Sequence, residues 1–274
     1  MSTIQKYLKS LENNITELDI SDKNLTQLPD LSRFTNLQIL KCHKNKITVL
    51  PKLPDKLTRL ICYSNEITEL PELPTHLHTL LCDYNNITNL LQLNKELVFL
   101  SCNKNLLIQL PTLPESLCTL RCNENQLETL PFLPDNITHL HCKDNLLKKL
   151  PRLPQKLEIL VCSNNKLTEL PPFPSKLFFL ECLHNQLTSL PLLNDNLQVN
   201  FYGNLVLNEI LHAEYNVDDV DLPDYDPYGM HQYTNEELQK MVKIIYHFRY
   251  SYYCLKLKDR FLHFLWKYVR EPIH

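Results

Sequence analysis

The chain has 274 residues, 43% of them hydrophobic, and a formal net charge of −3 at pH 7. This balance excludes a strongly basic nucleic-acid binder and a polyacidic tail protein. No apolar run approaches the roughly 18 residues of a membrane-spanning helix, and residues 1–30 lack the apolar core of a signal peptide. Ten cysteines without an export signal are expected to be reduced thiols. We therefore expect a soluble, intracellular, cytoplasmic protein.

Residues 1–14 are predicted to form an N-terminal helical cap. Ile4, Leu8 and Leu11 are spaced at i, i+4 and i+7 and so share one face of a helix. The first unit of a repeat array needs such a cover for its open core.

A 20-residue unit then organises residues 15–210 into about ten coils. The stretch 51–70, PKLPDKLTRLICYSNEITEL, gives the template PxLPxxLxxLxCxxNxLxxL, which recurs at 71, 91, 111, 131, 151 and 171 without insertion. The copy at 91 lacks both prolines, and a worn final copy starts at Leu197. A fixed period of this length predicts a solenoid in which each coil contacts only its neighbours.

Within each coil, period-two alternation places Leu60 and Cys62 on one face of a strand and Ile61 on the other. Paired prolines such as Pro51 and Pro54 favour an extended or polyproline conformation on the opposite side of the coil.

This pattern resembles the leucine-rich repeat, and specifically its shortest, 20-residue LPX class. That class is known from secreted effectors of enterobacterial pathogens, and related arrays occur in giant DNA viruses. The resemblance implies a leucine-rich-repeat solenoid with short parallel β-strands on the concave face and an extended or polyproline convex side. With the predicted termini, the expected fold adds a helical N-terminal cap and a helical C-terminal segment.

Two columns of residues recur with the scaffold and are predicted to be structural. Equivalent positions on parallel strands lie about 4.8 Å apart, farther than the about 3.5–4.5 Å between the Cβ atoms of a disulfide. A chain of metal thiolates inside a leucine core would carry a high desolvation cost. Each asparagine amide can bond the backbone of its own and the adjacent coil. The columns comprise Cys62, Cys82, Cys102, Cys122, Cys142 and Cys162, and Asn65, Asn85, Asn105, Asn125, Asn145 and Asn165.

Residues that vary where the scaffold does not are the candidates for binding a partner. They form two apolar patches, Ile61, Leu81 and Phe99 at one end and Ile159, Val161, Phe178 and Phe179 at the other, with cations and histidines between them. Exposed apolar patches rimmed by cations are typical of protein-binding surfaces, and ordinary surface variation is the alternative. The predicted partner-binding residues are Arg59, Ile61, Tyr63, Leu81, Phe99, Arg121, His139, His141, Lys143, Ile159, Val161 and Phe179.

The sequence provides no catalytic, metal or cofactor prediction. There is no Gly-rich phosphate loop, His-Glu-x-x-His helix or nucleophile elbow, and His139 and His141 lack an evident third ligand. The ubiquitin-ligating bacterial proteins that the array resembles carry a large domain with a catalytic Cys-x-Asp, whereas Cys254 here is followed by Leu255 and Lys256. We therefore expect no enzymatic activity, no cofactor and no small-molecule substrate.

The C-terminal part divides into an acidic loop over 211–233 and a basic, aromatic helical segment over 234–274. Thr234 and Glu237 form a capping box that opens the predicted helix. The segment is predicted to cap the last coil, and the alternative is that its cations and Trp266 dock a partner, an anionic membrane or nucleic acid. It also resembles the basic, Trp-containing C-termini of some giant-virus proteins. Peripheral membrane contact and nucleic-acid binding are not favoured.

The sequence thus predicts a monomeric, non-catalytic protein–protein interaction module that binds a protein on its concave face. By resemblance, it would be an effector-like factor of a virus or intracellular pathogen that acts in the host cytoplasm. The alternative is an adaptor, in which the repeats select a client and the C-terminal helix recruits other machinery such as a ubiquitin ligase.

Overall fold

The computed structural model describes residues 3–191, 193, 197–201, 203 and 204. The predicted acidic loop 211–233 and helical segment 234–274 lie outside the described residues.

In the described part of the chain, ten short parallel strands form one sheet in sequence order, β1 to β10. In-register pairing places the central leucine of each strand beside that of the next, as with Leu40, Leu60 and Leu80. This topology confirms the predicted parallel solenoid. The strands are β1 Glu17–Asp19, β2 Ile39–Lys41, β3 Arg59–Ile61, β4 Thr79–Leu81, β5 Phe99–Ser101, β6 Thr119–Arg121, β7 His139–His141, β8 Ile159–Val161, β9 Phe179–Glu181 and β10 Gln198–Asn200.

One hydrophobic core runs along the inside of the described coils, because each coil contributes the same apolar positions. In the coil of β3, Leu57, Leu60, Cys62 and Ile67 are fully buried. Each such leucine or isoleucine contributes roughly 1.5–3 kcal/mol relative to an exposed side chain. The core therefore binds each coil to the coils before and after it.

The helix α1 precedes the array over Thr3–Ser10 and ends four residues before the predicted boundary. Its Leu8 is buried in the core, and the Arg33 guanidinium donates to the carbonyl oxygens of Leu8 at 2.5 Å and Leu11 at 2.8 Å. The role of this segment as a cap stays a prediction. In the described part of the chain, no helix combines the length and hydropathy needed to cross a bilayer.

Each coil turns after its strand through a residue in the left-handed backbone region. Ser64, Lys104 and Glu124 occupy this place with φ of 55°, 55° and 53°. The asparagine that follows fixes the turn, since the Nδ2 of Asn65 donates to Cys42 O and Cys62 O, both at 3.0 Å, and its Oδ1 accepts the Ile47 N–H at 3.0 Å. These hydrogen bonds join each coil to the preceding one, as the sequence predicts for the asparagine column.

The last described coil is one residue shorter than the 20-residue coils before it. Counting from Leu197 as a first leucine would place an asparagine equivalent at 205, but Val199 pairs with Leu180 and Asn204 makes the turn hydrogen bonds. The turn asparagine of this worn copy therefore comes one residue earlier than the template places it. Gly203, at φ 72°, and the Asn204 amide fix the register, because both must lie at the turn.

Candidate protein-binding face

The outward side chains of the strands, with the residue two positions after each strand, form one surface that we call the strand face. Because the strands are in register, equivalent residues of successive strands form columns that run across the sheet. Neighbouring residues in one column lie about 4.8 Å apart. The structure brings most of the predicted binding residues together over β4–β9: Leu81, Phe99, Arg121, His139, His141, Lys143, Ile159, Val161 and Phe179.

Two predicted members of the apolar patches are not accessible. Ile61 is only 9% exposed and Val161 only 7%. Both lie at the end of a strand between in-register side chains of the two neighbouring coils, Lys41 and Leu81 in the case of Ile61. The expectation that Ile61 and Val161 belong to exposed patches is therefore wrong.

The remaining apolar side chains stay partly accessible at two places. Leu81 and Phe99 are half-buried on β4 and β5, and Val98 beside them is 37% exposed. Ile159 and Phe179 are half-buried on β8 and β9. Phe178, next to Phe179, is 47% exposed. Two apolar contact sites thus flank β6 and β7.

Arg121 lies exposed between these two apolar sites. Its guanidinium carbon is 5.4 Å from the centroid of the Phe99 ring, a cation–π distance. None of the ion pairs among the described residues involves Arg121. Lys143, by contrast, lies 3.6 Å from the carboxylate of its neighbour Asp144.

His141 pairs in register with Arg121 and is half-buried beside it. Burial, with the nearby Arg121 and His139, lowers the pKa of His141 to about 4. Its Nε2 is buried and has no hydrogen-bond partner. The histidine is therefore neutral near pH 7 and lies in a locally positive potential.

Arg59 and Tyr63 lie on the coil of β3, three strands before Arg121. Arg59 is exposed, and the Tyr63 ring stacks on His43 with the ring centroids 4.5 Å apart. Arg59 pairs in register with Thr79 on β4, so these two predicted residues lie at the edge of the β4–β9 group and away from Arg121.

A hydrogen-bonded column beside the strands was not predicted. The Oδ1 of Asp83 accepts from Ser101 Oγ at 2.6 Å and from the Asn103 N–H at 2.8 Å. Asn103 Oδ1 then accepts the Asn123 N–H at 2.8 Å, and Asn123 Oδ1 accepts the Lys143 N–H at 2.9 Å. The signal in the sequence is a run of short acceptor side chains directly after three consecutive repeat cysteines. This column fixes one border of the strand face.

The cysteine column contributes no reactive group to the face. Cys62, Cys82, Cys102, Cys122, Cys142 and Cys162 are fully buried free thiols. Burial raises the pKa of Cys142 to about 12 and raises that of Cys102 well above its ordinary value. Among the described residues, no group of histidine, cysteine and carboxylate side chains is placed to hold a metal ion.

No protein-family model and no curated protein sequence matches the chain. Among solved structures, the chain is similar to YopM from Yersinia enterocolitica, with 33% identity and a TM-score of 0.61 over 71% of this chain and 48% of that one. It is also similar to YopM from Yersinia pestis, described as a leucine-rich effector protein, with 34% identity, a TM-score of 0.64 and coverage of 68% and 54%.

The leucine-rich repeat domain of APL1B shares the fold at 21% identity and a TM-score of 0.60, over 69% of this chain and 61% of that one. The fold is therefore a leucine-rich-repeat solenoid with parallel strands. The chain spans about half the length of the YopM chains that it matches.

Proposed function

We propose that this chain is a non-catalytic leucine-rich-repeat module of the 20-residue class that binds a protein partner on its strand face. The observation that carries the proposal is the exposed Arg121, which forms no ion pair among the described residues and lies between two partly accessible apolar sites. Aromatic residues and arginine are enriched at protein interfaces, where they dominate the binding energy. The similarity to other leucine-rich-repeat proteins agrees with this role.

The similarity to YopM, an effector by its description, supports a finer proposal. We propose that the chain acts as an effector-like factor of a virus or intracellular pathogen in the host cytoplasm. The adaptor alternative depends on residues 234–274, outside the described part of the chain, and no described contact favours it.

The proposal is tested by affinity capture from host-cell extract, with bound proteins quantified by mass spectrometry. The full chain is compared with a double variant on the strand face, Arg121→Glu with Lys143→Glu. The control is Lys148→Glu with Arg152→Glu, which reverses two charges outside the strand face; both side chains are more than 60% exposed. We expect at least one captured protein to fall about ten-fold with the strand-face variant and to be retained by the control.

Circular dichroism must show the same thermal unfolding for all three proteins. A captured set that is equal for the strand-face variant and the full chain would contradict the proposed function.

A further inference from the structure

We propose, building on the proposed function, that the partner binds through an extended acidic segment that crosses the strand face between β4 and β9. An aspartate or glutamate of this segment pairs with Arg121. Apolar side chains on either side of it contact the Leu81–Phe99 site and the Ile159–Phe179 site.

The guanidinium of Arg121 is available to bind a carboxylate. A guanidinium has five N–H donors in a planar fork, and a carboxylate accepts two of them at once. The Phe99 ring lies 5.4 Å from the guanidinium carbon, so one side of the side chain already has a contact. No described hydrogen bond or ion pair uses the guanidinium of Arg121. A partner's carboxylate would therefore complete an interaction that the described chain leaves open.

The surroundings of Arg121 favour a negative charge. Three carboxylates on this side of the array already have partners. On the coil of Arg121, Glu124 lies 3.3 Å from Lys104, and on the next coil Asp144 lies 3.6 Å from Lys143. On β9, Glu181 accepts from Ser163 Oγ at 3.0 Å. His141, in register with Arg121, has a buried Nε2 without a partner. A segment without an acidic residue would leave the guanidinium of Arg121 without a carboxylate partner.

The distance between strands sets the length of the partner's segment. Ile159 lies three strands from Phe99 and Phe179 lies four, which corresponds to about 14 Å and about 19 Å at roughly 4.8 Å per strand. An extended chain advances about 3.3 Å per residue. The two apolar residues of the partner should therefore be about four to six positions apart, with the acidic residue between them.

The border of the site is preorganised. The side-chain acceptors of Asp83, Asn103 and Asn123 hold the backbone N–H groups of successive coils beside β4–β7. Binding an extended segment to such a border requires little further ordering of the receptor, which lowers the cost of association.

The test pans a phage-displayed library of random 12-residue linear peptides against the immobilised full chain. We expect the selected peptides to share an aspartate or glutamate flanked by apolar residues four to six positions apart. A synthetic selected peptide is then titrated by fluorescence anisotropy. Arg121→Glu and Arg121→Gln should each weaken its binding at least ten-fold, whereas Arg152→Glu outside the strand face should change it less than two-fold.

A double-mutant cycle assigns the contact. Replacing the acidic residue of the peptide by its amide should weaken binding to the unmodified chain but not further weaken binding to Arg121→Gln. Arg121→Gln removes the charge with a small change of shape, so the cycle stands even if Arg121→Glu unfolds.

Three results would overturn the acidic-segment proposal: no selected peptides, selected peptides without an acidic residue, or peptides that bind Arg121→Gln as tightly as the unmodified chain. The proposed function would survive each of them if affinity capture still showed a protein lost with the strand-face double variant. Equal capture by that variant would instead overturn the function itself.

Discussion

The repeat asparagines link each coil to its predecessor through single side chains. The Nδ2 of Asn125 donates to Cys102 O and Cys122 O at 3.1 Å and to Asn123 O at 3.0 Å, and its Oδ1 accepts the Leu107 N–H at 3.1 Å. Asn125 is 9% exposed, so water cannot easily replace these bonds. The hydrogen bonds of this one amide therefore stabilise two adjacent coils.

Replacing Asn125 by Ala should lower the free energy of unfolding by about 1–3 kcal/mol, because buried backbone groups lose their partners. Urea denaturation followed by circular dichroism measures the change. The matched control is Gln126→Ala at the exposed neighbouring position, where we expect a change of less than about 0.5 kcal/mol. An Asn125→Ala protein as stable as this control would contradict the assigned role.

His141 makes the stability of the array dependent on pH. Its pKa in the folded chain is about 4, below the ordinary value of 6.5, because burial and the neighbouring Arg121 and His139 disfavour the imidazolium. Between these two values the unfolded chain binds more protons than the folded chain. The free energy of unfolding must therefore fall as the pH falls from about 6.5 towards 4.

His141→Gln should reduce this dependence, because the variant side chain does not titrate. The measurement is Tm between pH 7 and pH 4.5 for the full chain and the variant. We expect a smaller loss of Tm in His141→Gln, with part of the loss remaining because burial also lowers the pKa of His43. Parallel Tm curves for the two proteins would show that His141 does not titrate as described.

At the scale of the element, each coil combines a three-residue strand with a turn that needs a left-handed residue. Non-glycine residues enter this region at a cost of roughly 1–2 kcal/mol, and asparagine tolerates it better than most. Asn164 meets this preference, whereas Ser64, Tyr84 and Lys104 do not. The turn conformation is therefore imposed by packing and by the asparagine hydrogen bonds, at the expense of local preference.

Ser64→Asn should therefore stabilise the chain, by about 0.5–1 kcal/mol. Ser64 is suited to this test because only its backbone takes part in described hydrogen bonds, to Asp83 and Asn45. Denaturant unfolding measures the gain, and Thr68→Asn is the control, since Thr68 is exposed in the same coil and has no positive φ. An equal effect of the two substitutions would rule out backbone conformation as the cause.

At the scale of the whole molecule, the 20-residue period predicted the solenoid. Repetition gives Leu60 and Cys62, and their counterparts in the other coils, the same buried environment. The burial of residues whose surroundings repeat can be predicted from the sequence. The burial of Ile61 and Val161 could not be, because it depends on the side chains that adjacent coils place beside them. The shortened last coil was hidden because Val199 and Phe201 replace the leucine and cysteine that mark the others.

The candidate site likewise has features that the sequence predicted and features that it did not. The sequence predicted which columns vary, and hence Arg121, Phe99 and Phe179 as binding residues, which stays a prediction. The placement of the Arg121 guanidinium over Phe99 and the hydrogen-bonded column from Asp83 to Lys143 depend on side-chain conformations. A residue pattern does not specify these conformations, since several staggered rotamers are available to each side chain.

The identical spacing of β3 to β9 has a consequence for the gene. Because these coils offer similar buried surfaces to their neighbours, an added or deleted 20-residue unit would meet surfaces like those it replaced. Unequal recombination between DNA repeats of the same length adds or removes whole coils in frame. Each such event inserts or removes one strand, and so adds or removes one residue in every column of the strand face. The binding surface can therefore be lengthened by duplication as well as altered by point mutation.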